Sequence, residues 1–528
     1  TTEIYTLSLH DALPISAAWN ANSIHNAAVL VIEVESGKTL AYVGNLPGET
    51  ATVPHGDVDI IMAPRSPGST LKPILYAAML SDGLILPTTL VADIPARISG
   101  FAPKNFDLSH CGAIPARQAL ARSLNVPAVF MLRQYGVERF HHLMKNLGFT
   151  TLTQPPGHYG LSLILGGCEV TLWELCGVYS SMARMLNHYP LLNGGYHSSD
   201  LHMPYFLNQQ GKLKNNEGDP VSFFTPGASA IYCMWDAMEE VMRPGEEALW
   251  KNLGVFQKIA WKTGTSYGFR DAWAIGCTPR YVVGVWAGNA DGEGRPGLTG
   301  LSAAAPLLFD IFALLPSSPW FPIPYDDMIK TAVCRESGYR PSVICEHLDT
   351  VWIPRQGLRT FPCPYHKWIH LDETGRRRVS SDCEAPSKMQ RKSWFVLPPV
   401  MESFFRTAHA EYTPLPPWKP GCQESQSEKN MEIIYPLPGT RIFVPLEIDG
   451  TPGKAIFEAA HRNPSFTLYW YLDQTYLGET RETHQMAVNP DPGKHVLILT
   501  DEHGERLEIQ FEVTGENTEK ERARLPGP

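Results

Sequence analysis

The chain has no apolar run long enough to cross a bilayer. Its best stretch, Ala27-Ala28-Val29-Leu30-Val31-Ile32, is soon broken by Glu33 and Glu35. It lacks a surplus of positive charge. Its 44 Lys and Arg face 54 Asp and Glu, a formal net charge of -10, which argues against a nucleic-acid partner. It lacks internal repeats, and no Met opens it. Thr1 to Ser16 read as the in-frame translation of a sequencing-library adapter. On that reading natural sequence opens at Ala17, and residues 1–16 are set aside from fold reasoning. What remains is ordinary globular material: 528 residues, 43% hydrophobic and 19% charged, enough for two to four domains and at least one large core. Proline (45) and glycine (43) are frequent enough to predict many turns.

Local pattern divides the chain. Ala27–Glu35 and Thr39–Val43 read as a β-hairpin across Ser36-Gly37. Ser69 is expected to open a helix that tolerates Pro73 in its first turn. Pro115–Leu124 and Val126–Tyr135 read as two helices broken at Asn125-Val126-Pro127, and Val170–Leu186 as a longer one. Pro226–Met242 is another, with Thr225 as its cap. Strand-like runs then lead into Lys262-Thr263-Gly264-Thr265, Ala272–Gly276 and Tyr281–Trp286, closed by an apolar helix over Ser302–Leu315. Helices in the middle with strands at both ends predict an α+β fold, an antiparallel sheet backed by helices. The expected divisions are a first domain over 17–325, a Cys- and Pro-rich connector over 326–428, a small all-β sandwich over 429–515 and a disordered tail over 516–528.

Three short motifs carry the chemistry: Ser69-Thr70-Leu71-Lys72, Ser123-Leu124-Asn125 and Lys262-Thr263-Gly264-Thr265-Ser266. Singly, Ser69 reads equally as a helix cap, Ser123-Leu124-Asn125 as helix punctuation and Lys262 as an edge-strand charge. Together and in this order they describe a serine acyl-transfer site. A serine hydroxyl needs an adjacent base. Lys72, at i+3, shares a face with Ser69, and burial or a second cation such as Lys262 would lower its pKa enough to free its lone pair. Ser123 would relay a proton to the leaving amine and Asn125 would bond the substrate amide. Thr263 and Thr265 would reach a terminal carboxylate, and Gly264 would leave room for substrate along the strand edge. The oxyanion hole is expected from the backbone N–H groups of Ser69 and Thr265.

The surroundings narrow this further. Arg65-Ser66-Pro67-Gly68-Ser69-Thr70-Leu71-Lys72-Pro73 resembles the nucleophile segment of class A, bifunctional penicillin-binding proteins. Ala119-Leu120-Ala121-Arg122-Ser123-Leu124-Asn125-Val126-Pro127-Ala128 resembles their second motif. The run from Lys262 through Tyr267-Gly268-Phe269-Arg270-Asp271-Ala272-Trp273 to Gly284-Val285-Trp286 is similar to the type 1C subgroup, as is the C-terminal region with Trp470-Tyr471-Leu472-Asp473. The resemblance implies a serine β-lactamase/penicillin-binding transpeptidase fold. It implies a Gram-negative, periplasmic enzyme that cross-links peptidoglycan stem peptides through an acyl-serine and is acylated by β-lactam antibiotics. It also implies a parent with an inner-membrane anchor and a glycosyltransferase domain. A DD-carboxypeptidase or β-lactamase-type hydrolase, and a non-catalytic penicillin-binding sensor or scaffold, are the competing readings. Other cell-wall synthesis proteins are candidate partners of the C-terminal domain.

No cofactor and no metal ligand are expected. Gly292-Glu293-Gly294-Arg295-Pro296-Gly297 has glycine spacing for a dinucleotide, but Glu293 would face a pyrophosphate and Pro296 removes a donor, so it reads as a loop. Cys111, Cys168, Cys176, Cys233 and Cys277 read as small buried hydrophobes. For Cys334, Cys345, Cys363 and Cys383, with Cys422 beyond, a disulfide is favoured in an oxidising compartment. Free thiols are the alternative, as is zinc, for which Cys363-Pro364-Tyr365-His366, His370 and Cys345 have suitable spacing. Tyr469, Trp470 and Tyr471 are expected to pack a core rather than stack on sugar.

Overall fold

The computed structural model describes residues 19, 21–46, 54–98, 101–206, 220–221, 226–241, 257–422, 429–444 and 453–514. The adapter-like segment, the C-terminal tail, Thr225 and the Asp449-Gly450 turn lie outside them.

Strand alternation builds the first region. Strands β1 (Asn26–Glu33), β2 (Thr39–Val43), β3 (Ala260–Thr265), β4 (Asp271–Cys277) and β5 (Tyr281–Gly288) form one antiparallel sheet in the order β2-β1-β5-β4-β3. In β1, Ala28, Leu30 and Ile32 enter the core beneath one face, while Val29 and Val31 enter the core on the other. The first face carries helices α1 (Lys72–Ser81), α2 (Asn125–Tyr135), α3 (Leu172–His188) and α4 (Ala228–Glu239). The second carries α5 (Ala305–Leu314), whose Leu308, Ile311 and Phe312 pack on Trp261, Val283 and Val285. α3 opens on a capping box, Thr171 with Glu174. This is the expected α+β arrangement, with β3 at one edge of the sheet.

Several local expectations shift. Ser69 lies in a 3-10 turn, Gly68–Leu71, and the α-helix proper begins at Lys72. The break between the paired helices falls at Arg122–Leu124 instead of Asn125–Pro127. Asn125 opens α2, and Pro127 is tolerated in its first turn. The break turns on Ser123, whose φ of 56° is in the left-handed region. α4 is capped by Gly227.

The connector carries more order than its pattern predicts. β6 (Met328–Cys334) pairs with β7 (Leu348–Pro354), and β8 (His366–Leu371) with β9 (Gln390–Phe395). Helix α6 (Pro399–Ala408) follows, with Val400 packed on Ile434 and Ala460 of the last domain and Glu402 paired with Arg462. That domain is a sandwich. A three-stranded sheet (Met431–Tyr435, Ala455–His461, Gln485–Val488) faces a five-stranded one (Arg441–Phe443, Leu468–Leu472, Thr475–Thr480, Gly493–Asp501, Arg506–Thr514). They share one core around Phe457, Trp470, Leu497 and Phe511. Trp470 is buried there, while Tyr471 lies against Tyr476.

The connector cysteines meet the disulfide expectation in one pair. Cys383 pairs with Cys422, 39 residues on. Cys334, Cys345 and Cys363 remain thiols.

Candidate active site

The three motifs converge at the β3 edge. In the 3-10 turn, residues i and i+3 eclipse, so Ser69 and Lys72 stand in line, and the Lys72 amide N–H donates to the Ser69 carbonyl. Ser69 is half-buried. Lys72 is fully enclosed. Its Nζ donates to Ser123 O (2.7 Å), Leu124 O (3.1 Å) and Asn125 Oδ1 (2.6 Å). The lysine is thus engaged by the second motif, and no hydrogen bond to the Ser69 hydroxyl is among its described contacts. Lys262 arrives from β3 on the helix-facing side. Its Nζ donates to Ser123 Oγ (2.7 Å) and to Thr263 O (2.9 Å). Ser123 therefore touches both amines, by its carbonyl and by its hydroxyl, and its left-handed backbone makes this double contact.

The electrostatics follow from burial. Three acceptors around Lys72 Nζ suit an ammonium, whereas enclosure and then the Lys262 charge oppose one. The net effect holds Lys72 well below the usual lysine range. Burial alone pushes Lys262 down to about 7. Among the described residues no carboxylate pairs with either amine.

Close packing sets the edge strand against the serine. A Cβ on Gly68, whose φ is 54°, would stand 2.6 Å from Thr265 N, and one on Gly264 would stand 2.3 Å from Pro67 O. Only glycine allows this approach. It puts the Thr265 amide beside the residue preceding Ser69. Thr263 and Thr265 are half-buried, and Thr265 Oγ1 accepts from Gly300 N at 3.1 Å.

Some supporting residues carried no sequence signal. Asn105 is buried, and its Oδ1 accepts from the amides of Asn125 (2.9 Å) and Val126 (3.1 Å). Its Nδ2 donates to Asp93 Oδ1 (2.7 Å) and Ser109 O (2.8 Å). Asn125 Nδ2 donates to Lys104 O (2.8 Å), which fixes its amide so that Oδ1 faces Lys72. Trp273 Nε1 donates to Ser66 O (2.8 Å), and Tyr179 OH to Thr70 O (2.9 Å), so the turn is held from both flanks. Gly292–Gly297 is a loop, as expected, with Arg295 paired to Glu293.

Part of the set whose spacing left zinc as an alternative comes together in space. Cys334, Cys345, Cys363 and His366 bring their ligand atoms within 4.8 Å of one another in the connector. The folding of the two hairpins collects them, which linear spacing alone did not decide.

Comparison with known proteins bears on both regions. Residues 27–185 match the penicillin binding protein transpeptidase domain, and residues 420–511 match the Penicillin-Binding Protein C-terminus Family. Penicillin-binding protein 1C of Escherichia coli (strain K12) is 30% identical over 489 residues, 86% of this chain and 57% of that protein. Penicillin-binding protein 1A of Neisseria cinerea is 30% identical over 298 residues, 54% of this chain and 35% of that protein. The chain thus spans about half, or less, of the length of these relatives. A crystal structure of penicillin-binding protein 1A from Haemophilus influenzae aligns with a TM-score of 0.48 at 18% identity, covering 64% of this chain and 54% of that one. The chain thus carries a transpeptidase domain of penicillin-binding proteins followed by their C-terminal domain, and the first relative meets the type 1C resemblance.

Proposed function

We propose that the chain is a peptidoglycan DD-transpeptidase working through an acyl-serine. Ser69 Oγ attacks the carbonyl of the penultimate D-Ala, and the amide C–N bond breaks as D-Ala leaves. Lys72, kept neutral by burial and by Lys262, takes the hydroxyl proton after turning one bond from the Ser123–Asn125 carbonyls. Ser123 passes a proton to the departing amine. An amine on a second stem peptide then displaces the serine, forming the new amide and restoring the hydroxyl. The oxyanion would rest on the N–H groups of Ser69 and Thr265, a contribution of about 3 kcal/mol per donor. Asn125 would hold the substrate amide. Thr263 and Thr265 would hold the carboxylate, and Gly264 would let the peptide lie along β3.

One observation carries this reading: a single serine, Ser123, bridges two buried lysines that have no counter-ion among the described residues, next to the close packing of Gly68 on Thr265 and of Gly264 on Pro67 that seats Ser69 on the sheet edge. β-Lactams would acylate the same hydroxyl. The homologues' names support a cell-wall role, and with it we propose a periplasmic location.

The test uses a fluorescent penicillin and a peptide ending in D-Ala-D-Ala with a labelled D-amino acid as acceptor. Wild type should take the label, and should incorporate the acceptor at the peptide terminus. Labelling that survives Ser69→Ala overturns the acyl-serine. Release of D-Ala without incorporation identifies a carboxypeptidase, and acylation without any peptide turnover identifies a sensor.

A further inference from the structure

We infer that the connector holds a structural zinc ion on Cys334, Cys345, Cys363 and His366. The ligands come from separated pieces of chain: the end of β6, the loop after it, the approach to β8 and the first residue of β8. His366 Nδ1 lies 3.5 Å from Cys334 Sγ, 3.5 Å from Cys345 Sγ and 3.3 Å from Cys363 Sγ. A tetrahedral zinc, with about 2.3 Å to sulfur and about 2.0 Å to nitrogen, sets each sulfur-to-nitrogen edge near ~3.5 Å. The three contacts have the length of those edges.

The surroundings fit the same ion. His366 Nε2 faces Glu336 Oε2 at 3.8 Å, the carboxylate partner that turns a ring toward its metal and makes it more basic. Ser337 Oγ donates to Cys363 Sγ at 3.1 Å, and Ser342 N donates to Cys345 Sγ at 3.3 Å, donors that suit thiolates. Four protein ligands leave no open position, so the ion would be structural and not catalytic. Disulfides serve the cluster badly. Three thiols leave one over in any pairing, and Cys383 is already bonded to Cys422.

The region also needs a staple. The core beneath the β6–β7 hairpin is three buried residues, Leu86, Val333 and Ile353. The turn that follows Cys334 grips the first domain: Leu90 N donates to Ser337 O (2.9 Å), and Thr88 Oγ1 donates to Gly338 O (2.7 Å). Zinc on Cys334 would fix the connector to the strand Leu90–Asp93, whose Asp93 holds Asn105.

The whole chain, prepared without chelator, should contain one zinc per molecule by elemental mass spectrometry. Cobalt(II) added to the metal-free, reduced protein should give thiolate-to-metal charge-transfer bands and the intense d–d absorption of a tetrahedral site. Cys345→Ser and His366→Ala should lose both signals, Cys111→Ser should keep them, and Glu336→Gln should weaken zinc affinity by about 10–100-fold. A chain without zinc and without the cobalt spectrum overturns the inference. So does an intact mass that shows a second disulfide among these three cysteines. The wild-type cobalt titration decides the matter even if a cysteine variant fails to fold.

Discussion

The edge of the large sheet and the connector each bury a small group of polar side chains, and they satisfy them by opposite means. At the sheet edge two amines face, among the described residues, neutral oxygens: carbonyls, an amide and the Ser123 hydroxyl. No described carboxylate cancels their charge, so enclosure pulls both lysines toward the neutral form. In the connector three sulfurs ring one imidazole nitrogen, and the other nitrogen has a carboxylate. Those donors gain most from a shared cation. The lesson is that burial alone does not say what a polar cluster is for. An enclosed amine without a counter-ion is poised to accept a proton, whereas converging soft donors are poised to close round an ion.

The widest separation of the two should come from Ser69→Ala. Penicillin labelling is expected to vanish while the zinc content and the melting temperature stay as in wild type. Loss of zinc in this variant would mean the two clusters are not independent. Gly264→Ala comes next. Its new Cβ would lie 2.3 Å from Pro67 O and 2.9 Å from Thr70 Cγ2, so β3 and the nucleophile turn must part. A displacement near 1 Å costs about 100-fold in rate, and stopped-flow acylation should read a loss of that order. An unaltered rate would show that the close approach of strand and turn is not needed.

A pH series sharpens the comparison further, because only the sheet-edge cluster depends on uncancelled charge. Lys262→Gln removes the cation that, after burial, holds Lys72 down. The Lys72 value should therefore rise, and the acidic limb of the acylation profile should move to higher pH. A limb that stays in place would exclude Lys72 as the base. Stability gives an independent reading. The folded value of Lys262, about 7, lies below that of a free lysine, ~10.4. Between them the unfolded chain binds more protons than the folded one, so stability should rise with pH across that window. Lys262→Met should flatten the rise in a series of urea melts.

Much of this arrangement is legible in the residues. Ala28, Leu30 and Ile32 against Val29 and Val31 announce a strand buried on both faces, and the three motifs name the polar groups that meet. What the pattern misses has a physical reason in each case. Ser69 sits in a 3-10 turn because Gly68 packs on Thr265, a contact between residues nearly two hundred positions apart. Pro127 suggests a helix break, yet a first-turn proline costs no hydrogen bond, so the break moves to Ser123, which must reach both lysines. The connector hairpins stay hidden because side-chain character and exposure do not match there: Leu348, Trp352 and Trp368 face solvent beside Asp349, Thr350, Gln390, Arg391 and Lys392, so polarity alternates poorly along the strands. Cysteine partners depend on how those hairpins fold over one another.

Asn105 offers the finest test, since it joins the two halves of the comparison without belonging to either. It uses its whole hydrogen-bonding capacity: two donations to Asp93 and Ser109, and two acceptances from the first amides of α2. Asn105→Ala strands those amides at a helix start and leaves Asp93 short of a donor, a loss of about 1–3 kcal/mol in a denaturant melt. Because α2 begins with Asn125, whose side chain holds Lys72, acylation should slow as well. Asn105→Asp separates the two roles. Its carboxylate still accepts from α2, where a negative charge is favourable, but it confronts Asp93 across 2.7 Å. Two carboxylates that close cannot both stay ionised, and taking up one proton restores the bond. The Asp variant should thus fall behind wild type in stability at neutral pH and recover as the pH drops, while the Ala variant stays behind throughout. Parallel losses for both variants at every pH would show that the bond to Asp93 is not what holds the start of α2 against Lys72.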